Sequence, residues 1–167
     1  YKKTLEKKFK VDEFKNLFTF YYSGFNIRSS DLNAILGIEQ LKKIKRISQK
    51  RHENFLNYKK LLHNFWHQES DLKLISSFGY ATFVKNRLKV FNYLKSKNIQ
   101  SRPLICGNMG QQPFLKKLGL KNKNLYNAKF VDKFGIYLPN HANLNLRDVK
   151  HIAKIFKSIA KPIRFKS

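Results

Sequence analysis

The segment Ser101–Asn108 contains side chains whose types and spacing suit the binding of an anion. Within it, Arg102 precedes Pro103, and a proline fixes its own backbone φ angle and restricts the residue before it. The backbone thereby sets the direction of the Arg102 guanidinium, a planar and permanently charged group that suits a phosphate or a carboxylate. The alternative is an exposed arginine at a strand end that binds nothing. Gly107 and Asn108 complete the segment.

Two further polar residues, Asn26 and Arg28, stand directly before the start of a predicted helix. From spacing alone Asn26 is a turn residue, because asparagine tolerates left-handed backbone geometry and caps its neighbours. For Arg28, a surface ion pair and a functional arginine are equally compatible with the sequence. The residue types therefore leave both roles open.

A histidine, His141, closes the stretch Gly135–His141, which combines a glycine, a hydrophobic strand and an Asn-His ending. A lone histidine after a strand is more often a hydrogen-bonded structural residue than an acid or a base. The single cysteine, Cys106, excludes a disulfide framework and a multi-cysteine metal or iron–sulfur site built from this segment alone. The remaining histidines show no metal-ligand spacing, so no metal site is expected: His52, His63, His67 and His151.

The elements that must position these residues follow from the hydrophobic pattern. Apolar residues at helical spacing predict a helix of about 35 residues from an N-cap at Ser29 or Ser30 to Phe65, or two helices nearly in line. Alternating and branched residues then predict three strands and three shorter helices: strands 78–84, 99–105 and 135–139; helices 88–98, 126–134 and 146–159. The order predicts an α+β fold, with a long helix followed by a small sheet covered on one side by helices.

The composition carries a formal net charge of +25, which favours an anionic partner, and a basic nucleic-acid-binding module is the alternative function. Only seven of the 35 basic residues are arginine, however, and arginine is the better residue for bidentate phosphate and base contacts. Nucleic acid is therefore not the expected partner. No stretch approaches 18 uninterrupted apolar residues, so no membrane segment is expected and the chain is predicted to be cytoplasmic.

The run Ser23–Leu32 and its continuation Ala34–Leu41 resemble the start of the long helix in the DegT/StrS family of pyridoxal-phosphate-dependent sugar aminotransferases. Arg51 and Tyr58 match an arginine and a tyrosine further along that helix. The resemblance extends from about Tyr21 to Ile159. The Arg-Pro and Gly-Asn pairs of Ser101–Asn108, together with Gly135–His141, are similar to the nucleotide-sugar 3-dehydratase branch of the family.

This resemblance implies the small C-terminal domain of a fold-type-I pyridoxal-phosphate-dependent transferase. Residues 1–28 would be a linker and the end of a missing large domain, 29–66 a long connecting helix, and 67–167 the small α+β domain. The cofactor, pyridoxal 5'-phosphate or pyridoxamine 5'-phosphate, would be bound mainly by the missing domain. The Schiff-base lysine, or the histidine that replaces it in 3-dehydratases, would precede this segment, so no catalytic residue is assigned within it.

The resemblance also implies roles for the residues singled out above. Asn26 would bind the cofactor phosphate of the neighbouring subunit in a homodimer, because an amide donates to phosphate oxygens without adding charge. Arg28, Arg102, Asn108 and His141 would face the substrate, a nucleotide-linked 4-keto-6-deoxy sugar for surface polysaccharide. Whether the reaction is 3-dehydration or transamination stays open, because the residue that decides it lies outside the sequence.

Overall fold

The structure, a computed structural model, describes residues 2–9, 30–104, 108, 110, 118 and 125–164. The chain divides into two compact units, Tyr1–Gln40 and Leu41–Ser167. The first unit begins with helix α1 (Lys2–Phe9), which the hydrophobic pattern did not predict because this stretch is mainly charged. The aromatic run that follows it in the sequence lies outside the described residues.

The longest element is helix α2 (Asp31–Leu61), which has 31 residues and no proline. A backbone amide of its first turn donates to Ser30 Oγ at 3.3 Å, which confirms the predicted N-cap. At 1.5 Å per residue the helix is about 46 Å long. It ends at Leu61 rather than at the predicted Phe65. The Phe65 amide donates to the Leu62 carbonyl at 2.8 Å, and this tight turn closes the helix.

The two halves of α2 differ in burial. In its second half Asn54, Phe55 and Tyr58 are buried. In its first half six large aliphatic side chains, called the exposed aliphatic side chains below, are each more than half exposed: Leu32, Ile35, Leu36, Ile38, Leu41 and Ile44. The same hydrophobic periodicity thus serves a buried surface at one end of the helix and an exposed one at the other.

The sheet has two antiparallel strands, β1 (Gly79–Phe83) and β2 (Gly135–Pro139), with Gly79 opposite Pro139. The prediction of a third strand over 99–105 was wrong: in the described part of this segment, pairing is limited to a single antiparallel bridge between Arg102 and Tyr137. The next residue, Pro103, has no N–H and cannot donate to a ladder. The residues placed beside the sheet are therefore held by one bridge rather than by a strand.

Three shorter helices accompany the sheet, close to their predicted bounds: α3 (Arg87–Ser96), α4 (Tyr126–Phe134) and α5 (Leu146–Ile159). Just after α3, Asn98 adopts a φ of 56°, a left-handed conformation that asparagine tolerates at helix ends. Helix α5 begins at a reciprocal cap in which Asn145 Oδ1 accepts from the Asp148 amide and Asp148 Oδ2 accepts from the Asn145 amide.

The buried core lies between the sheet, the second half of α2, and helices α3 and α5. At its centre the rings of Tyr58 and Tyr80 stack with their centroids 5.0 Å apart, and Phe65 packs against Phe156 at the same separation. Ile136 contributes from β2 and is 1% exposed. This packing confirms the predicted α+β fold and anchors the strand that carries the candidate site.

The Tyr80 phenol provides a test of this core. Burial raises its pKa above the usual value of about 10, and no group in the described part of the chain forms a hydrogen bond with its oxygen. Above about pH 10 the unfolded chain therefore loses this proton while the folded chain keeps it, so the free energy of unfolding falls as the pH rises. In urea unfolding at pH 8 and pH 11, Tyr80→Phe should cost less than about 0.5 kcal/mol at pH 8 and should lose less stability between the two pH values than the parent.

Tyr126→Phe is the matched control, because the Tyr126 side chain is 66% exposed and is solvated in both the folded and the unfolded chain. It should leave the difference between pH 8 and pH 11 unchanged. A loss of several kcal/mol at pH 8 in Tyr80→Phe would mean that the buried phenol makes a hydrogen bond after all.

None of the helices that the structure describes is both long enough and apolar enough to cross a membrane.

Candidate functional site

Arg102 is held beside the sheet by its backbone. Its amide donates to the Tyr137 carbonyl at 3.4 Å, and the Tyr137 amide donates to the Arg102 carbonyl at 2.7 Å. The side chain of Arg102 is exposed, and no ion pair within the described part of the chain engages its guanidinium. The arginine is therefore fixed at its base and available at its charged end, as the Arg-Pro pair predicted.

A pocket of about 150 Å³ opens between Arg102 and the end of β2. Its polar lining consists of Gln100, Ser101, Arg102, Tyr137, Asn140 and His141. The structure thus brings together two of the predicted site residues, Arg102 and His141, which are far apart in sequence. We call this cavity the Arg102 pocket.

The position of His141 is set by a hydrogen bond to its backbone carbonyl. The Asn54 side-chain amide, on α2, donates to the His141 carbonyl at 3.3 Å and to the Leu144 carbonyl at 3.4 Å. The His141 side chain is exposed. The loop after β2 is therefore tied to the buried half of α2, while the imidazole remains open to a ligand.

Asn140, to which the sequence pattern gave no role, has a side chain in the Arg102 pocket that is held by two hydrogen bonds. It is completely buried, and its Nδ2 donates to the Arg51 carbonyl at 3.2 Å and to the Ser77 carbonyl at 2.9 Å. It thereby joins α2, the segment before β1 and the end of β2. The only local signal for it is its position directly after the proline that ends the strand.

The other predicted site residues lie elsewhere. Asn108 is 1% exposed, its backbone amide donates to Asp132 Oδ1 at 3.3 Å, and it does not line the Arg102 pocket. Neither polar atom of its side chain has a hydrogen-bond partner among the described residues. Asn26 and Arg28 lie outside the described residues. The roles of these three residues therefore stay predictions.

A second cavity, the apolar groove, lies on the other side of Arg102. It has a volume of about 230 Å³ and is lined by Arg87, Leu88, Phe91, Arg102, Pro103 and Ile136. The Arg87 guanidinium donates to the carbonyl of Asp132 and, at 3.5 Å, to that of Gly135, so its charge is used to join α3 to the end of α4. Arg102 is thus the cation shared by both cavities.

The chemistry available in the Arg102 pocket is binding rather than proton transfer between paired groups. Among the described residues that line it there is no lysine, aspartate or glutamate, and His141 supplies the one imidazole. A pyridoxal phosphate site needs a group for the aldehyde carbon and a charged partner for the pyridine nitrogen. The pocket lining does not make such a site, but a permanent cation beside neutral donors and acceptors fits an anionic, polyhydroxylated ligand.

Among the residues that the structure describes, no group of three or more histidine, cysteine, aspartate or glutamate side chains is arranged to hold a metal ion. The deeply buried phenols do not act as bases either, because burial raises the pKa of both Tyr58 and Tyr80, and Asp148 raises that of Tyr58 further. The described site therefore depends on hydrogen bonds and on the charge of Arg102.

The fold is that of pyridoxal-phosphate-dependent sugar aminotransferases and dehydratases. The structure of Escherichia coli GDP-4-keto-6-deoxy-D-mannose-3-dehydratase with bound hydrated pyridoxal phosphate matches 87% of this chain with a TM-score of 0.69 and 26% identity, and 40% of that chain is covered. The chain belongs to the DegT/DnrJ/EryC1/StrS aminotransferase family, whose model matches residues 3–157. The predicted family is thereby confirmed.

Curated relatives include both reaction types of the family. A GDP-4-keto-6-deoxy-D-mannose 3-dehydratase of Escherichia coli O55:H7 is 28% identical over 93% of this chain and 44% of its own length. A UDP-4-amino-4,6-dideoxy-N-acetyl-beta-L-altrosamine transaminase of Helicobacter pylori is 28% identical over 89% of this chain and 40% of its own length. The chain thus spans less than half the length of the relatives that it matches.

Proposed function

We propose that this chain is the C-terminal, substrate-facing part of a pyridoxal-phosphate-dependent enzyme that acts on a nucleotide-linked 4-keto-6-deoxy sugar for surface polysaccharide. The observation that carries the proposal is the Arg102 pocket in a chain of this family. An arginine with a fixed backbone, whose guanidinium forms no ion pair with the described residues, suits a sugar joined to a diphosphate when neutral hydrogen-bonding groups lie beside it. In this proposal Arg102 and His141 face the substrate, and Arg28 and Asn108 approach it from segments beyond the pocket.

The cofactor, as pyridoxal phosphate or pyridoxamine phosphate, would supply an electron sink for chemistry at the sugar ring. Asn26 is the residue of this chain proposed to contact it, through a phosphate oxygen in the neighbouring subunit of a homodimer. The residues of the Arg102 pocket would bind and orient the nucleotide sugar. The remaining cofactor contacts are assigned to residues outside this chain.

The exposed aliphatic side chains of α2 support a role within a larger molecule. Each of the six is more than half exposed, and soluble proteins usually cover large groups of apolar side chains. The chain also spans only 40–44% of the length of the curated relatives described above. We propose that residues 1–28 end a large domain, 29–66 connect it and 67–167 form the small domain.

The alternative, a basic nucleic-acid-binding module, has no observation in its support beyond the net charge. In the first half of α2, Lys43 and Lys45 are exposed on a solvated helix surface. Such side chains extend their stems along the protein and keep the ammonium in water without requiring a partner.

The proposal is tested with the purified full-length protein, pyridoxal phosphate or pyridoxamine phosphate, glutamate and GDP-4-keto-6-deoxymannose. We expect turnover of the sugar, with loss of the C3 hydroxyl for a 3-dehydratase or appearance of an amino sugar for an aminotransferase. A lysine at the cofactor position of the full sequence would favour transamination and a histidine would favour dehydration. No turnover of nucleotide-linked 4-keto-6-deoxy sugars of any type would contradict the proposal.

The 167-residue chain by itself gives a second result. We expect no stoichiometric cofactor absorbance band after incubation with pyridoxal phosphate and desalting, because the described pocket contains neither a lysine nor a carboxylate. A stoichiometric band bound by the chain alone would show that the division of roles proposed here is wrong.

A further inference from the structure

Helix α5 carries charges of one sign along its exposed side. Four basic residues follow one another at spacings of three, four and three positions, and all are exposed: Arg147, Lys150, Lys154 and Lys157. Residues three and four positions apart are neighbours on a helix surface, so these side chains form one row, called the basic row below. From Arg147 to Lys157 the helix rises about 15 Å.

The opposite side of α5 keeps the basic row facing solvent. Val149, Ile152, Ala153 and Phe156 belong to the buried core, and they lie between the basic residues in the sequence. Rotation of the helix would expose these four side chains to water and is therefore strongly disfavoured. The basic row is thus a fixed surface of the fold.

No carboxylate in the described part of the chain forms an ion pair with the basic row. The one acidic residue of α5, Asp148, accepts from the Asn145 amide at 2.9 Å as part of the helix cap. Like charges three and four positions apart destabilise a helix, and a cation in the first turn opposes the helix dipole. The arrangement therefore disfavours the isolated helix and favours an anionic partner.

The three lysines of the row also border one cavity of about 360 Å³. Its remaining described lining consists of Leu61, Ala153 and Ser158, with no acidic residue among them. Three cations, a hydroxyl and two apolar residues suit a phosphate that is joined to an apolar molecule. A phospholipid headgroup has this chemistry.

The composition of the basic row favours a lipid surface over a nucleic acid. It has three lysines to one arginine, and a lysine ammonium is a compact charge that attracts phosphates without a fixed geometry. Bases are read mainly by arginine, asparagine and glutamine, and Arg147 is the one residue of these types in α5. An anionic bilayer instead attracts clustered lysines through its surface potential, which requires no particular pairing.

We infer that the basic row is a docking surface for the anionic headgroups of a phospholipid bilayer. The protein lies on the headgroups through α5 and does not enter the apolar interior, because the apolar side of this helix belongs to the core. The inference does not depend on the proposed function, since the row includes none of the residues assigned to substrate or cofactor.

The test is co-sedimentation of the full-length protein with vesicles of phosphatidylcholine and phosphatidylglycerol in equal parts, at about 0.1 M salt, where the Debye length is about 10 Å. A variant with Lys150→Gln, Lys154→Gln and Lys157→Gln should bind these vesicles about 100-fold more weakly than the parent, which is roughly a factor of five for each lysine. Vesicles of phosphatidylcholine alone should bind neither protein.

A second triple variant, Lys89→Gln, Lys95→Gln and Lys129→Gln, is the matched control. It makes the same change in net charge at exposed positions of α3 and α4. We expect it to retain parental binding to the anionic vesicles within about threefold, because its lysines lie outside the basic row. The thermal unfolding midpoints of both variants should match the parent, which excludes misfolding as the cause of a loss.

Three outcomes would overturn the inference. An equal loss in the two triple variants would show that binding follows the net charge and has no docking surface on α5. Absence of parental binding to anionic vesicles would exclude the lipid surface itself. Tighter binding of the parent to duplex DNA than to the vesicles, lost in the α5 variant alone, would assign the basic row to a nucleic acid.

Discussion

Arg102→Lys in the full-length protein is expected to lower kcat/KM for the nucleotide sugar by about 10- to 100-fold. Lysine keeps the positive charge but loses the planar fork that binds two phosphate oxygens at once. The bridge to Tyr137 fixes the Arg102 backbone. A shift of the backbone therefore cannot compensate for the shorter side chain of the lysine variant. Arg102→Gln, which also removes the charge, should lose more.

Arg147→Lys makes the same chemical change on α5, where the side chain is exposed and lines none of the cavities described above. It should retain wild-type kinetics, and the unfolding midpoints of both lysine variants should match the parent. Wild-type kcat/KM in Arg102→Lys would mean that the guanidinium makes no two-point contact with the substrate, and the proposed role of Arg102 would have to be withdrawn.

Among alanine substitutions of Gly37, Gly79 and Gly135, Gly135→Ala is expected to be the most destabilising. The new Cβ would lie 2.6 Å from the Val131 carbonyl oxygen and 2.7 Å from both Cγ and Cδ1 of Leu104. The carbonyl belongs to the last turn of α4 and cannot rotate away as a side chain would. Overpacking of this kind costs about 1–3 kcal/mol, and we expect a value near the upper end from urea unfolding of the chain.

Gly37→Ala is the matched control, because a Cβ added at this position in α2 would meet nothing within 4 Å. Alanine is favoured over glycine in a helix interior by about 1 kcal/mol, so this variant should be stabilised or unchanged. If Gly135→Ala were as stable as the parent, α4 and β2 would have to join in a different geometry from the one described.

Local patterns were sufficient for most of the fold. Ser30 caps α2 as predicted, and β2 and α5 have the predicted bounds, because each is encoded by neighbouring residues: a hydroxyl before a helix, branched residues before a proline, and an apolar face with a cap. The third strand failed for a reason that the sequence also contains. Pro103 removes the donor that would extend the ladder beyond the bridge at Arg102.

The candidate site was less accessible to sequence reasoning. Arg102 and His141 were predicted, and they line the same pocket. Asn140 was given no role, because its importance comes from bonds to residues 89 and 63 positions away, Arg51 and Ser77. Local patterns carry no record of such contacts. The exposed aliphatic side chains of α2 are a second case, since helical spacing of apolar residues predicts a helix and does not say what covers them.

The position of Arg102 between two cavities has a consequence for inhibitor design. Arg102 lines both the Arg102 pocket and the apolar groove, to which Leu88, Phe91 and Pro103 also contribute. A compound that places a hydrophobic ring in the groove and an anion against Arg102 would compete with the proposed nucleotide-sugar substrate for this arginine. It would not need to contain a sugar. Such a compound would not need to resemble any nucleotide. Its hydrophobic ring would make it selective for this protein over enzymes whose groove has a different shape.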